Sequence, residues 1–144
     1  MIGYPKSTAL RNPHLLAMAR GQDCNMQVPG ICNHNPETVV AAHSNSGMHG
    51  KAGARKADDE YSVWACSACH SWFDQGAGAR DRETSMRTFQ RALLQQVREW
   101  ARIAYDPTGK AKDRAAASWA LEQLQAPRAP EGVVIEHGYL KGNR

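Results

Sequence analysis

Hydrophobic positions along the chain fall in short runs between polar stretches until residue 84, where a long amphipathic pattern begins. Met86, Phe89, Leu93, Val97, Trp100 and Ala104 recur at steps of three or four. The spacing predicts a helix over 84–104 with one apolar face, opened by Thr84 or Ser85 and ended by Asp106-Pro107. A further helix over 112–125 carries Trp119, Leu121 and Leu124. Upstream, Asn12-Pro13 is a good helix opening, with Leu15, Leu16, Ala17 and Met18 following and Gly21 as the stop. Residues 38–42 read as a short buried strand ending at His43, and residues 62–65, SVWA, as a second. Residues 44–60 are too rich in Gly and polar side chains for a regular element and read as a long loop. After Cys69 the run HSWFD begins a helix that stops near Gln75-Gly76.

These elements divide the chain into a basic arm (1–11), a small core (12–78), a helical extension (79–126) and an irregular tail (127–144). The predicted fold class is α+β. With 144 residues and 42% hydrophobic content, one modest core is the expectation. The formal charge of +4 favours an acidic partner such as nucleic acid. Neither a signal-peptide pattern nor a membrane-length apolar stretch is found, so a soluble, cytoplasmic protein with reduced cysteines is expected.

The four cysteines are spaced Cys24-x7-Cys32 and Cys66-x2-Cys69. The second pair has the spacing with which two thiolates grip one tetrahedral ion, and Pro29-Gly30 lets the longer first loop fold back on itself. One structural zinc on Cys24, Cys32, Cys66 and Cys69 is the expectation, with buried free thiols as the ordinary alternative. Four thiolates leave no open coordination position, so chemistry belongs beside the zinc. His70 follows the second pair directly, and Asp74 lies one helical turn on, so both face one further cation. If the two strands pair and the helix crosses them, His43 faces His70 over a small cleft.

The segments AAHSN (41–45), HGKAG (49–53) and ADDEYSVWACSACHSWFD (57–74) carry a resemblance. Over roughly residues 20–78 the sequence resembles the small phage and prophage HNH-like, or ββα-metal, nucleases braced by a four-cysteine zinc. The resemblance implies a zinc-braced ββα-metal core and hydrolysis of DNA phosphodiester bonds with a divalent metal such as magnesium. It further implies His43 as general base and His70 as metal ligand, with phage recombination or replication intermediates, branched DNA among them, as substrates. The sequence departs from the common pattern at Ala42, where many such enzymes carry an acidic ligand before the base. Asp74 is the first candidate for the missing ligand, with Asp58 and Asp59 in reserve, and Asn45 is a candidate for the family's Asn role.

Lys51, Arg55 and Lys56 cluster among glycines after His43 and suit phosphate contact. Arg87, Arg91, Arg98 and Arg102 form a stripe on the long helix that would extend the footprint. Each residue has an ordinary reading as well: His43 as a structural loop closure, His70 as a helix cap or zinc ligand, Asp74 as a helix-dipole partner, and the arginines as a solvated face. His14, His34 and His137 read as structural, and His49 as a secondary site candidate. Two other functional readings stand beside the nuclease: a non-catalytic zinc-stabilised DNA-binding module, and a zinc-braced adaptor docking through Trp100, Trp119 and the C-terminal helices.

Overall fold

The computed structural model describes residues 9–49, 51 and 56–125. Arg55 and the tail from residue 126 lie outside them, as do residues 1–8 of the arm. The first helix, α1, spans Pro13–Ala17; Asn12 caps it by accepting from the Leu15 amide at 3.1 Å, with Pro13 at its first position. Strand β1 (Val40–His43) pairs antiparallel with β2 (Ser62–Ala65), placing His43 opposite Ser62 and Val40 opposite Ala65. Among the described residues of the connection between them, one 3-10 turn forms, Gly47–His49.

Helix α2 covers Ser67–Asp74, starting earlier than the HSWFD run because Cys66 acts as its N-cap, its sulfur accepting from the Cys69 amide at 3.4 Å. It packs on both strands, giving a mixed α+β core with a small two-stranded sheet. One turn, α3 (Ala77–Arg80), lies against α2; a Cβ added at Gly78 would sit 2.7 Å from the Trp72 ring, so only glycine permits that approach. Asp81 then caps the long helix α4 (Arg82–Ala104), its carboxylate accepting from the Thr84 amide at 3.1 Å, and so the helix starts two residues before Thr84.

The buried face of α4 is Ser85, Phe89, Ala92, Gln96 and Trp100, whereas Met86 is exposed. All of β2 is buried: β1 covers one edge, and at the other the Trp64 amide donates to Gln96 Oε1 (2.8 Å) while its carbonyl accepts from the Asn25 amide (2.8 Å). Helix α5 (Ala111–Gln125) packs on α4 and α1 through Ala116, Ala117 and Ala120. Its small residues take the closest contacts, and Trp119, Leu121 and Leu124 are only half-buried around them. Among the described residues no helix is long and apolar enough to cross a membrane.

Candidate active site

The loop from Asp23 to Asn33 wraps around the N-terminus of α2. Gly30 takes the left-handed φ of +74° that this reversal requires, and Gln27 also has a positive φ, +44°. The wrapping brings the four cysteine sulfurs within 4.8 Å of one another, with Cys66 Sγ and Cys32 Sγ 3.9 Å apart. A regular tetrahedron of sulfurs around zinc has edges of about 3.8 Å. Backbone amides point at the cluster: Gln27 to Cys24, Val28 to Cys69, and both Asn33 and Cys69 to Cys66, each at 3.4 Å.

Burial alone raises the Cys66 thiol, but the Asn33 and Cys69 amides and the neighbouring thiols bring it down to about 7, against an ordinary 9.0. Cys69 is pushed well up, first by burial and then by the charge of Cys24, and burial raises Cys32 as well. Four thiols this close do not all ionise without a cation between them, and a divalent ion removes the conflict. Spacing, amide donors and charge all fit a tetrahedral metal such as zinc.

Beside this cluster a cleft of about 1010 Å³ opens between α1, β1, α2 and the loop after His43. His43, Asn45, His70 and Asp74 all line it, together with Lys51 and Lys56. On α2, His70 Nε2 and Asp74 Oδ2 stand 2.8 Å apart, and Asn45 Nδ2 donates to Asp74 Oδ1 at 3.4 Å. The bond to Asp74 holds the His70 imidazole above its ordinary pKa, against the opposing effect of burial and the charge of Lys56. The same bond holds the Asp74 carboxyl low, helped by the charge of His70 and by Asn45.

Across the cleft, His43 Nε2 lies 2.9 Å from Asp59 Oδ1. Burial works to raise Asp59, but the His43 bond, the Asn12 amide and the charges of His43 and Arg11 outweigh it and hold the carboxyl low. Ala42 is fully buried, so an acid there would face the core; Asp74 of α2, and Glu37 ahead of β1, bring carboxylates to the cleft instead.

Other candidate residues stand elsewhere. Asp58 Oδ1 accepts from the Leu10 amide at 3.2 Å. His49 stacks on Tyr61 at 4.0 Å and lines a separate cavity of about 120 Å³ beside α4. Arg87 pairs with Glu83, Arg91 donates to the Met26 carbonyl, Arg98 reaches Gln95 at 3.5 Å and Arg102 holds Glu99 at 2.9 Å. Arg87 and Arg102 keep exposed side chains paired along α4, and the stripe does not line the cleft. Two cations went unnoticed in the sequence: Arg20, which lines the far end of the cleft, and Arg11, which contacts Asp59 at 3.2 Å. Neither stands in a motif; only Arg20's place at the helix end before Gly21 hinted at a turn.

A family model described as "Putative nuclease YbcO" matches residues 13–105, well over half of the chain. The chain belongs to the YbcO family. Two curated relatives, "Putative nuclease YbcO" of Escherichia coli (strain K12) and "Putative nuclease ybcO" of Enterobacteria phage 82, are each 45% identical over 58 residues. That stretch is 40% of this YbcO-family chain and 58% of each relative, so the match spans a little over half of their length. A solved structure, "Structure of a putative bacteriophage protein from Escherichia coli str. K-12 substr. MG1655", aligns at 29% identity with a TM-score of 0.46, over 59% of this chain and 93% of that one.

Proposed function

We propose that the chain is a metal-dependent DNA endonuclease of the HNH type. The observation that carries this reading is the convergence of His43, His70 and Asp74 on one cleft whose rim holds Lys51 and Lys56. An antiparallel strand pair that leads directly into a helix opening at Cys-x-x-Cys-His supports the ββα-metal architecture. The nuclease names of the YbcO relatives point the same way.

His43 is the general base. An ionised Asp59 only accepts, so His43 Nε2 carries a proton and Nδ1 carries the lone pair. Nδ1 takes the proton from water as the water oxygen bonds to phosphorus and the bond to the leaving sugar oxygen breaks. His70 and Asp74 would hold a divalent metal such as magnesium, which would neutralise charge on the phosphate and the leaving oxygen. Their donor atoms, 2.8 Å apart on successive turns of α2, stand close enough to be shared by one ion. Asn45 steadies Asp74, and Lys51, Lys56 and Arg20 grip phosphates along the cleft. The cysteine zinc is structural, fixing the start of α2. Recombination or replication intermediates are the substrates proposed, and one of the relatives is a phage protein.

The test uses the zinc-loaded protein with supercoiled plasmid and branched DNA, titrated with magnesium or manganese. Cleavage that requires the divalent ion is the expected result. Salt-sensitive DNA binding without cleavage under any metal would leave a DNA-binding module in its place.

A further inference from the structure

Residues 10–12, just ahead of α1, are strapped to residues 56–59, which lead into β2. The Asp59 amide donates to the Leu10 carbonyl at 2.9 Å, and the Asn12 amide donates to Asp59 Oδ2 at 2.6 Å. The Arg11 guanidinium donates to the carbonyls of Lys56 (3.1 Å) and Ala57 (2.5 Å) and to Asp59 Oδ1 (3.2 Å). That oxygen is the one His43 Nε2 contacts at 2.9 Å. The Asp59 side chain is only 2% exposed, so its negative charge is held inside the protein by these donors. Asp59 therefore has little freedom to turn toward a metal in the cleft. His43 Nδ1 has no hydrogen-bond partner among the described residues.

We infer that Arg11 and Asp59 are positioning residues for His43: Arg11 fixes the Asp59 carboxylate, and the carboxylate fixes the imidazole as its Nε2–H tautomer with Nδ1 left for the substrate side. The inference rests on the proposed role of His43 as base and replaces the reading of Asp59 as a reserve metal ligand. A carboxylate that merely tied down the arm would be satisfied by Arg11 and the Asn12 amide; the third donor is the imidazole. The contact spans 48 residues from Arg11 to Asp59 and 16 from Asp59 to His43, so the strap links the chain's start to the cleft.

Two readouts test this on the full, zinc-loaded chain. Nitrogen-15 NMR of the imidazoles, at a pH where His43 is neutral, is expected to find His43 as the Nε2–H tautomer in wild type and to lose that preference in Asp59→Asn. Cleavage kinetics are expected to lose roughly 10²-fold in kcat for Asp59→Asn and Arg11→Ala with KM and zinc content kept, the scale of a misplaced reacting group. Arg11→Lys is expected to recover part of kcat, since an ammonium pairs with Asp59 but cannot also reach both carbonyls. A wild-type Nδ1–H tautomer, or unchanged kcat in Asp59→Asn, overturns the relay while leaving the nuclease reading intact. If wild type cleaves no DNA, the nuclease reading falls, and the tautomer alone decides: Nε2–H lost in Asp59→Asn upholds the positioning, Nδ1–H overturns it.

Discussion

Asp59 concentrates much of the polar order around the cleft in one buried carboxylate. It accepts from His43, Arg11 and the Asn12 amide, and its pKa is held below the ordinary carboxylate value. A carboxyl with a depressed folded pKa contributes stability that is fully present above the unfolded value, about 3.9, and is lost as pH falls through the lower folded value. The stability gap between wild type and Asp59→Asn, measured by denaturant unfolding across a pH series, should therefore be present down to the ordinary carboxyl range and close only below it. Both proteins keep the four cysteines, so loss of zinc in acid cancels from the difference. A gap that persisted undiminished in acid well below the ordinary carboxyl range would contradict the assignment. Of these contacts, the sequence disclosed only the chemistry-bearing types: His43, His70 and Asp74 stood out by residue type and helical spacing. Arg11 did not, because a partner 48 residues away leaves no local pattern.

Among the elements, α4 is the clearest in the sequence, and its extent is nearly as its periodicity implies. Its buried face is not. A hydrophobic stripe marks Met86 and passes over Gln96, yet Gln96 is fully buried and Met86 is 42% exposed. The reason lies in β2, whose outer edge at Trp64 would otherwise bury an unpaired amide. Gln96 Oε1 accepts from that amide and from Asn25 Nδ2 at 2.9 Å, so one side chain ties the helix, the strand and the cysteine loop together. Gln96→Leu keeps the volume but strands both donors. It should lower stability by about 2 kcal/mol in chemical denaturation. A loss near zero would mean that Gln96 serves only as filler. Pairing across a sheet edge has no signature along the chain, which is why hydrophobic periodicity located the helix but misjudged its contacts.

For the molecule as a whole, the cysteine cluster joins the segment before β1 to the helix that follows β2. Its amide-lined geometry suits a metal ion, whose binding would then be part of folding. One zinc per chain is expected by elemental analysis. Chelation, or Cys66→Ser, should lower the melting temperature and collapse the near-ultraviolet signal of Trp64 and Trp72 while α4 and α5 keep most of the helical signal. Retention of the full tertiary signal after chelation would argue for plain buried thiols. The spacing of Cys66-x2-Cys69 and the Pro29-Gly30 turn made most of this centre legible; the positive φ of Gln27 leaves no signal in the spacing.

Cleavage of DNA in the cleft between His43 and the His70–Asp74 pair is the function proposed for the molecule. Its most direct test compares magnesium-dependent plasmid cleavage by wild type and His43→Ala, each shown to be folded and to hold one zinc. Cleavage by wild type is expected, with a loss of 10²-fold or more, roughly the contribution of a general base, in the variant with DNA affinity kept. Equal cleavage by the two proteins would contradict it.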